Sequence, residues 1–263
     1  MTIQKTQKNI KIWNFSDFSL IYEFKKIYNK GGLQAGCFLN EDQNIYILTG
    51  NYLIKGKNSS PIKLYDLNGN KIKDIEDSTE STFFLSIYYD ENINKKFIIA
   101  GFTKYIKAYD YKKNKVYRTY KDVNNQFNRN IIINKSEEII KLIQSSSDGY
   151  IRIWDFHKAE LILEIEACPL QEDKPHYFWE EGAYGICLWN NEYLFVGTSE
   201  EMKLINIKTG KIISNIKYKR DKKFEKDYET LISIKKFNHP KFGECLIAKT
   251  LCSSTIQIWS NKE

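Results

Sequence analysis

The side chains able to do chemistry are few and scattered. Three histidines (His157, His176, His239) and five cysteines (Cys37, Cys168, Cys187, Cys245, Cys252) are spread over 263 residues. No cysteines share CxxC spacing, and HExxH, a glycine-rich phosphate loop and Gly-x-Ser-x-Gly are all missing. A nucleophile and its base would have to meet by tertiary contact alone, so no catalytic residue is assigned and the chain reads as a non-enzyme. Cys168 and His176 have no well-placed third and fourth ligand nearby, and neither zinc nor any other cofactor is expected. An odd number of cysteines without a secretory context reads as small apolar side chains in a reducing compartment.

Two segments stand out from this background. Tyr177, Phe178 and Trp179 run consecutively into Glu180 and Glu181, and Glu172 and Asp173 precede them. Clustered large aromatics framed by acids have the composition of a protein-interface hot spot. The other reading is that the three rings fold back onto the body of the protein. The second segment is basic: Lys217, Lys219, Arg220, Lys222 and Lys223 fall within seven residues, 217–223. Such a run can grip phosphate groups of RNA or of anionic lipid, or simply be a solvated loop in a lysine-rich chain. The net charge of +7 comes from lysines scattered along the whole sequence, which does not by itself describe a nucleic-acid surface.

These segments are positioned by a repeat. An alternating strand of Ile–basic–Leu/Ile–aromatic followed by Asp or Asn appears at 10–14, 62–66, 106–110 and 151–155. A weaker copy stands at 202–206, and the last at 256–260. The aromatic slot falls at 13, 65, 109, 154, 205 and 259, intervals of 52, 44, 45, 51 and 54 residues. A period somewhat above 40 residues, with insertions, is the length of a four-stranded propeller blade, about 40–45 residues. Around the best copy, residues 131–133, 139–146, 150–156 and 161–165 read as four strands, with Ser147-Asp148-Gly149 as a turn. No segment carries a helical stripe of useful length, so the chain is expected to be all-β.

Ser146-Ser147-Asp148-Gly149-Tyr150-Ile151-Arg152-Ile153-Trp154-Asp155 resembles the signature of WD40 repeats. The resemblance implies a β-propeller of four-stranded antiparallel blades, about five to six recognisable here and some partial. It divides one domain, 1–263, into a partial blade 1–28, complete blades 33–77, 80–122, 128–166 and 183–217, and a last blade 229–260. In the family, an Asp, a Ser or Thr, the strand Trp and a His form a hydrogen-bonded tetrad. Asp148, Ser146 (or Ser145) and Trp154 match three of its positions, and the His has no counterpart. These three residues are therefore expected to be structural. The Phe-Arg-Arg-Gly of phosphoinositide-binding propellers is missing, and His157 stands where a Trp-Asp-x-Arg adaptor motif would have Arg.

Strand counting leaves the closure open. Residues 19–24 could complete the last blade, giving five, or stay with 9–15, giving an open arc of about six partial blades. Completion by a strand from a partner chain is a further alternative. The loops at 51–61, 167–182 and 218–228 are expected on one face of such a scaffold, where recognition concentrates. The resulting expectation is a protein-interaction scaffold or adaptor, with an RNA- or anionic-lipid-binding propeller as the alternative. No stretch approaches the roughly 20 apolar residues of a membrane helix, and MTIQKTQKNIKIWNF lacks the apolar core of a signal peptide. The expected setting is cytoplasmic, or nuclear, and not integral to a membrane.

Overall fold

The computed structural model describes residues 2–3, 10–14, 16–24, 32–52, 62–76, 78, 80–121, 128–135, 139–169, 182–199, 201–218, 231–250 and 256–260. All regular structure among them is β. The chain divides into two compact units, Met1–Asn125 and Gln126–Glu263.

In the first unit, β1 (Thr2–Ile3), β2 (Ile10–Trp13) and β3 (Leu20–Phe24) form a three-stranded sheet. The next sheet holds β4 (Gly32–Glu41), β5 (Asn44–Tyr52), β6 (Ile62–Tyr65) and β7 (Lys71–Asp74). A second four-stranded sheet follows, of β8 (Phe84–Asp90), β9 (Lys95–Gly101), β10 (Tyr105–Asp110) and β11 (Lys115–Lys121). In the second unit the first sheet is β12 (Asn128–Lys135), β13 (Ile140–Ser146), β14 (Tyr150–Asp155) and β15 (Leu161–Glu166). Its neighbour is β16 (Ile186–Leu188), β17 (Tyr193–Gly197), β18 (Glu201–Asn206) and β19 (Ile212–Lys217). The last sheet has three strands, β20 (Leu231–His239), β21 (Gly243–Thr250) and β22 (Ile256–Ser260). Strands run in chain order across each antiparallel sheet. This is the blade plan of a β-propeller, complete in four sheets and partial in the first and last. Residues 20–24 pair within the first sheet: β3 runs beside β2, Ile10 opposite Phe24.

The recurring Asp or Asn has a local job. Asp66 Oδ1 accepts the Asn70 amide at 2.8 Å, and Asp110 Oδ1 accepts that of Lys113 at 3.0 Å. Asp155 accepts His157 and Lys158, both at 2.9 Å, and Asn206 accepts Lys208 and Thr209 at 2.9 and 3.0 Å. Each side chain thus replaces a strand partner for amides that a turn leaves unpaired. The turn then needs a left-handed residue, supplied by Gly69, Asn114, Ala159 and Gly210. One strand bulge follows from the extra turn residue. It falls immediately before the aromatic slot in all five third-to-fourth strand pairs: Ile12/Trp13, Leu64/Tyr65, Ala108/Tyr109, Ile153/Trp154 and Leu204/Ile205. A register shift repeated at one motif position is part of the repeat and not a defect.

Packing comes from the two Ile/Leu positions of the motif. Ile10 and Ile12 pack with Leu33 and Ile47 of the following sheet. Ile62 and Leu64 pack with Leu85 and Ile98, and Ile151 and Ile153 with Ile186 and Leu194. Each fully buried side chain of this size contributes about 1.5–3 kcal/mol. These sheet-to-sheet seams hold the scaffold.

Candidate functional site

The best motif copy builds a buried polar centre in the sheet β12–β15. The turn Ser147–Gly149 lets Asp148 fold back, so that its Oδ1 accepts the Tyr150 amide at 3.2 Å. Four residues on, Arg152 reaches the same carboxylate from the same face of the strand. Its two terminal nitrogens donate to Asp148 at 3.3 and 2.6 Å, and its Nε donates to Glu164 on β15 at 2.6 Å. Arg152 is 1% exposed and Asp148 4%, whereas the Glu164 side chain is 40% exposed. The fork geometry of a guanidinium satisfies both acids at once, which a lysine ammonium would do less well. The Tyr150 ring lies 5.3 Å from the guanidinium carbon, and the Glu166 carboxylate beside it raises the phenol pKa.

The motif aromatic is satisfied separately. Trp154 is 5% exposed and its indole Nε1 donates to Gln144 Oε1 at 2.9 Å. The tetrad implied by the WD40 resemblance would link Trp154 toward Asp148; the observed bonds include Trp154–Gln144 and Asp148–Arg152. Ser146 Oγ is buried without a hydrogen-bond partner. Ser145 carries the hydroxyl bonds instead, accepting the Asn130 amide at 3.1 Å and donating to the Tyr184 carbonyl at 2.7 Å. The Asn130 side chain donates to the carbonyls of Tyr184 and Ile232 at 2.8 and 3.4 Å, tying β12 to the segment that leads into β16 and to β20. Sequence reasoning missed Arg152, Gln144 and Asn130. One signal was available for the first: it is the sole arginine among motif slots otherwise holding Lys11, Lys63, Lys107, Lys203 and Gln257.

This turn is also the foundation of the 167–182 loop. Ala167 and Cys168 donate to the Gly149 carbonyl at 2.9 and 3.0 Å, and Ala183 donates to the Ser146 carbonyl at 3.1 Å. A Cβ on Gly149, whose φ is 85°, would sit 1.8 Å from the Cys168 oxygen. A Cβ on Gly182 would come within 3.0 Å of Ser147 Cα. Both feet of the loop therefore stand on one four-residue turn. The loop after β19 is founded in the same way. Tyr218, buried at its start, donates to the carbonyls of Thr198 and Ser199 at 3.3 and 2.9 Å, and Leu231 at its end donates to Thr198 at 3.3 Å. Tyr177, Phe178, Trp179, Glu180 and Glu181 lie outside the described residues, as do Lys219, Arg220, Lys222 and Lys223. Lys217 closes β19 and is exposed.

Chemically, this arrangement is suited to holding loops and less to reacting. Burial pushes the Cys37 thiol up to about 12 and raises that of Cys187, which disfavours a reactive thiolate at either. Among the described residues no group of three or more His, Cys, Asp and Glu side chains could hold a metal ion, and no helix is long and apolar enough to cross a membrane. No protein-family profile and no curated protein matches this chain.

Proposed function

We propose that the protein is a non-enzymatic interaction scaffold of the WD40 type. Its main partner contact is Tyr177, Phe178 and Trp179, with Glu180 and Glu181 supplying charge. The observation that carries this reading is the double anchoring of their loop. Its ends bond to Gly149 and Ser146, and the turn is braced by the Asp148–Arg152 pair. An anchored loop loses less conformational entropy on binding than a free one, so aromatic contacts there translate more fully into affinity. Affinity capture from the source cell with mass spectrometry identifies the partner. A Tyr177/Phe178/Trp179 triple alanine variant is expected to lose it while melting within a few degrees of the parent. Unfolding of the variant would assign the rings to the core, and retained binding would move the site elsewhere.

The second reading uses Lys217, Lys219, Arg220, Lys222 and Lys223 against RNA or anionic lipid. What favours it is the matching foundation of that loop through Tyr218 and Leu231. A salt series separates the two, because phosphate binding weakens steeply with ionic strength and aromatic contacts do not.

A further inference from the structure

One motif copy breaks the packing rule of the others. In β2, β6, β14 and β18 the two apolar positions face the next sheet of their unit; in β18, Met202 and Leu204 pack with Leu231 and Ile234. In β22 the same positions are Ile256 and Ile258, each 59% exposed. Cross-strand register shows what else lies on that face. Ile258 pairs with Ile247 and through it Lys235; Ile256 pairs with Lys249 and through it Ser233. Side chains paired in antiparallel register share a face. This side of the sheet is therefore an apolar stripe of Ile247, Ile256 and Ile258 beside two exposed ammonium groups, Lys235 and Lys249.

The lysines define what can cover it. Their equivalents in the β12–β15 sheet are Ile132 and Ser145, uncharged and packed under the neighbouring sheet. Another apolar blade laid on β22 would strip two ammonium groups of water without pairing them. An occupant with carboxylates over Lys235 and Lys249 and apolar side chains over the isoleucines meets both demands. The acid described on this sheet, Glu244, is on the other face, bonded to Lys236.

We propose that this face docks an acidic amphipathic segment of a protein partner, extended along β22. The segment lies over the face and alternates apolar residues toward Ile256 and Ile258 with acids toward Lys235 and Lys249. None of the residues of this face belongs to the 167–182 loop.

The test uses the full chain and three fluorescein-labelled peptides, each about ten residues long so as to span one strand. They alternate Leu with Glu, Leu with Lys, and Ser with Glu, and binding is read by fluorescence anisotropy. The Leu/Glu peptide is expected to bind most tightly. A Lys235→Glu/Lys249→Glu variant should weaken it about tenfold, the scale of two exposed ion pairs, and favour the Leu/Lys peptide. An Ile256→Ser/Ile258→Ser variant should lose it; these side chains are exposed, so the fold is kept. The Tyr177/Phe178/Trp179 alanine variant should bind unchanged. The proposal falls if Leu/Glu binds no better than Leu/Lys, or if the isoleucine variant still binds. It also falls if the aromatic variant keeps the parent melting temperature and loses binding. Sedimentation showing a dimer that the isoleucine variant dissolves would assign the face to a second copy and overturn it equally.

Discussion

Asp148 and Arg152 form a two-point ion pair in the interior of their sheet, with nitrogen–oxygen distances of 2.6 and 3.3 Å. Removing one member strands the other's charge away from water. Arg152→Leu should cost about 3–5 kcal/mol in urea unfolding. Adding Asp148→Asn should recover part of that loss, because the orphaned carboxylate goes with it. If the double variant is as unstable as the two single losses added, the residues are not coupled.

Trp154 fills the same sheet and donates to Gln144. Trp154→Ala should cost about 3–5 kcal/mol, the usual effect of deleting a large core aromatic. Gln144→Leu should cost about 1–3 kcal/mol, since the indole N–H then stays buried without its acceptor. A loss well below 1 kcal/mol in the tryptophan variant would be incompatible with its burial.

Gly149→Ala tests the loop foundation. The left-handed backbone and the approach of the Cys168 carbonyl both oppose a side chain there. The expected loss is about 2–3 kcal/mol. Hydrogen exchange should quicken first at the Ala167 and Cys168 amides, which donate to Gly149. Unchanged protection at those two amides would contradict the anchoring.

Ala159→Gly should stabilise the protein. Ala159 sits at φ 60° in the turn after Trp154, where other copies use Gly69, Asn114 and Gly210. A left-handed alanine costs about 1–2 kcal/mol, while glycine adds some entropy to the unfolded chain. A net gain of about 0.5–1 kcal/mol is expected in thermal or denaturant unfolding. A loss would mean that the Ala159 methyl has packing that outweighs its strain.

The features legible in the sequence were those set by neighbours along the chain. Ile-x-Ile alternation specifies a strand with one face apolar, and the Asp or Asn after the aromatic bonds amides two to four residues away. Both act within a few residues, so each motif copy announced a third strand and its turn. The left-handed turn positions and the recurring bulge arise from the same short-range chemistry, but the motif did not announce them. Arg152 was not legible as a buried ion, because in the alternation it occupies the slot that Lys11, Lys63 and Lys107 fill as ordinary basic residues. Only the fold of the 147–149 turn and the register to Glu164 place it between two carboxylates.

What the sequence alone determined about this protein is therefore its element type and repeat: all-β, in blades, with strands in chain order. Tertiary structure decided which polar side chains found each other and which apolar ones found cover. Trp154 needed an acceptor, but that it is Gln144 depends on pairing between β13 and β14. Ile153 and Ile258 occupy the same motif slot, yet one is fully buried and the other 59% exposed. Alternation prescribes which way a side chain points from its strand. Whether another sheet lies there depends on contacts distant in sequence, and no local pattern carries that information.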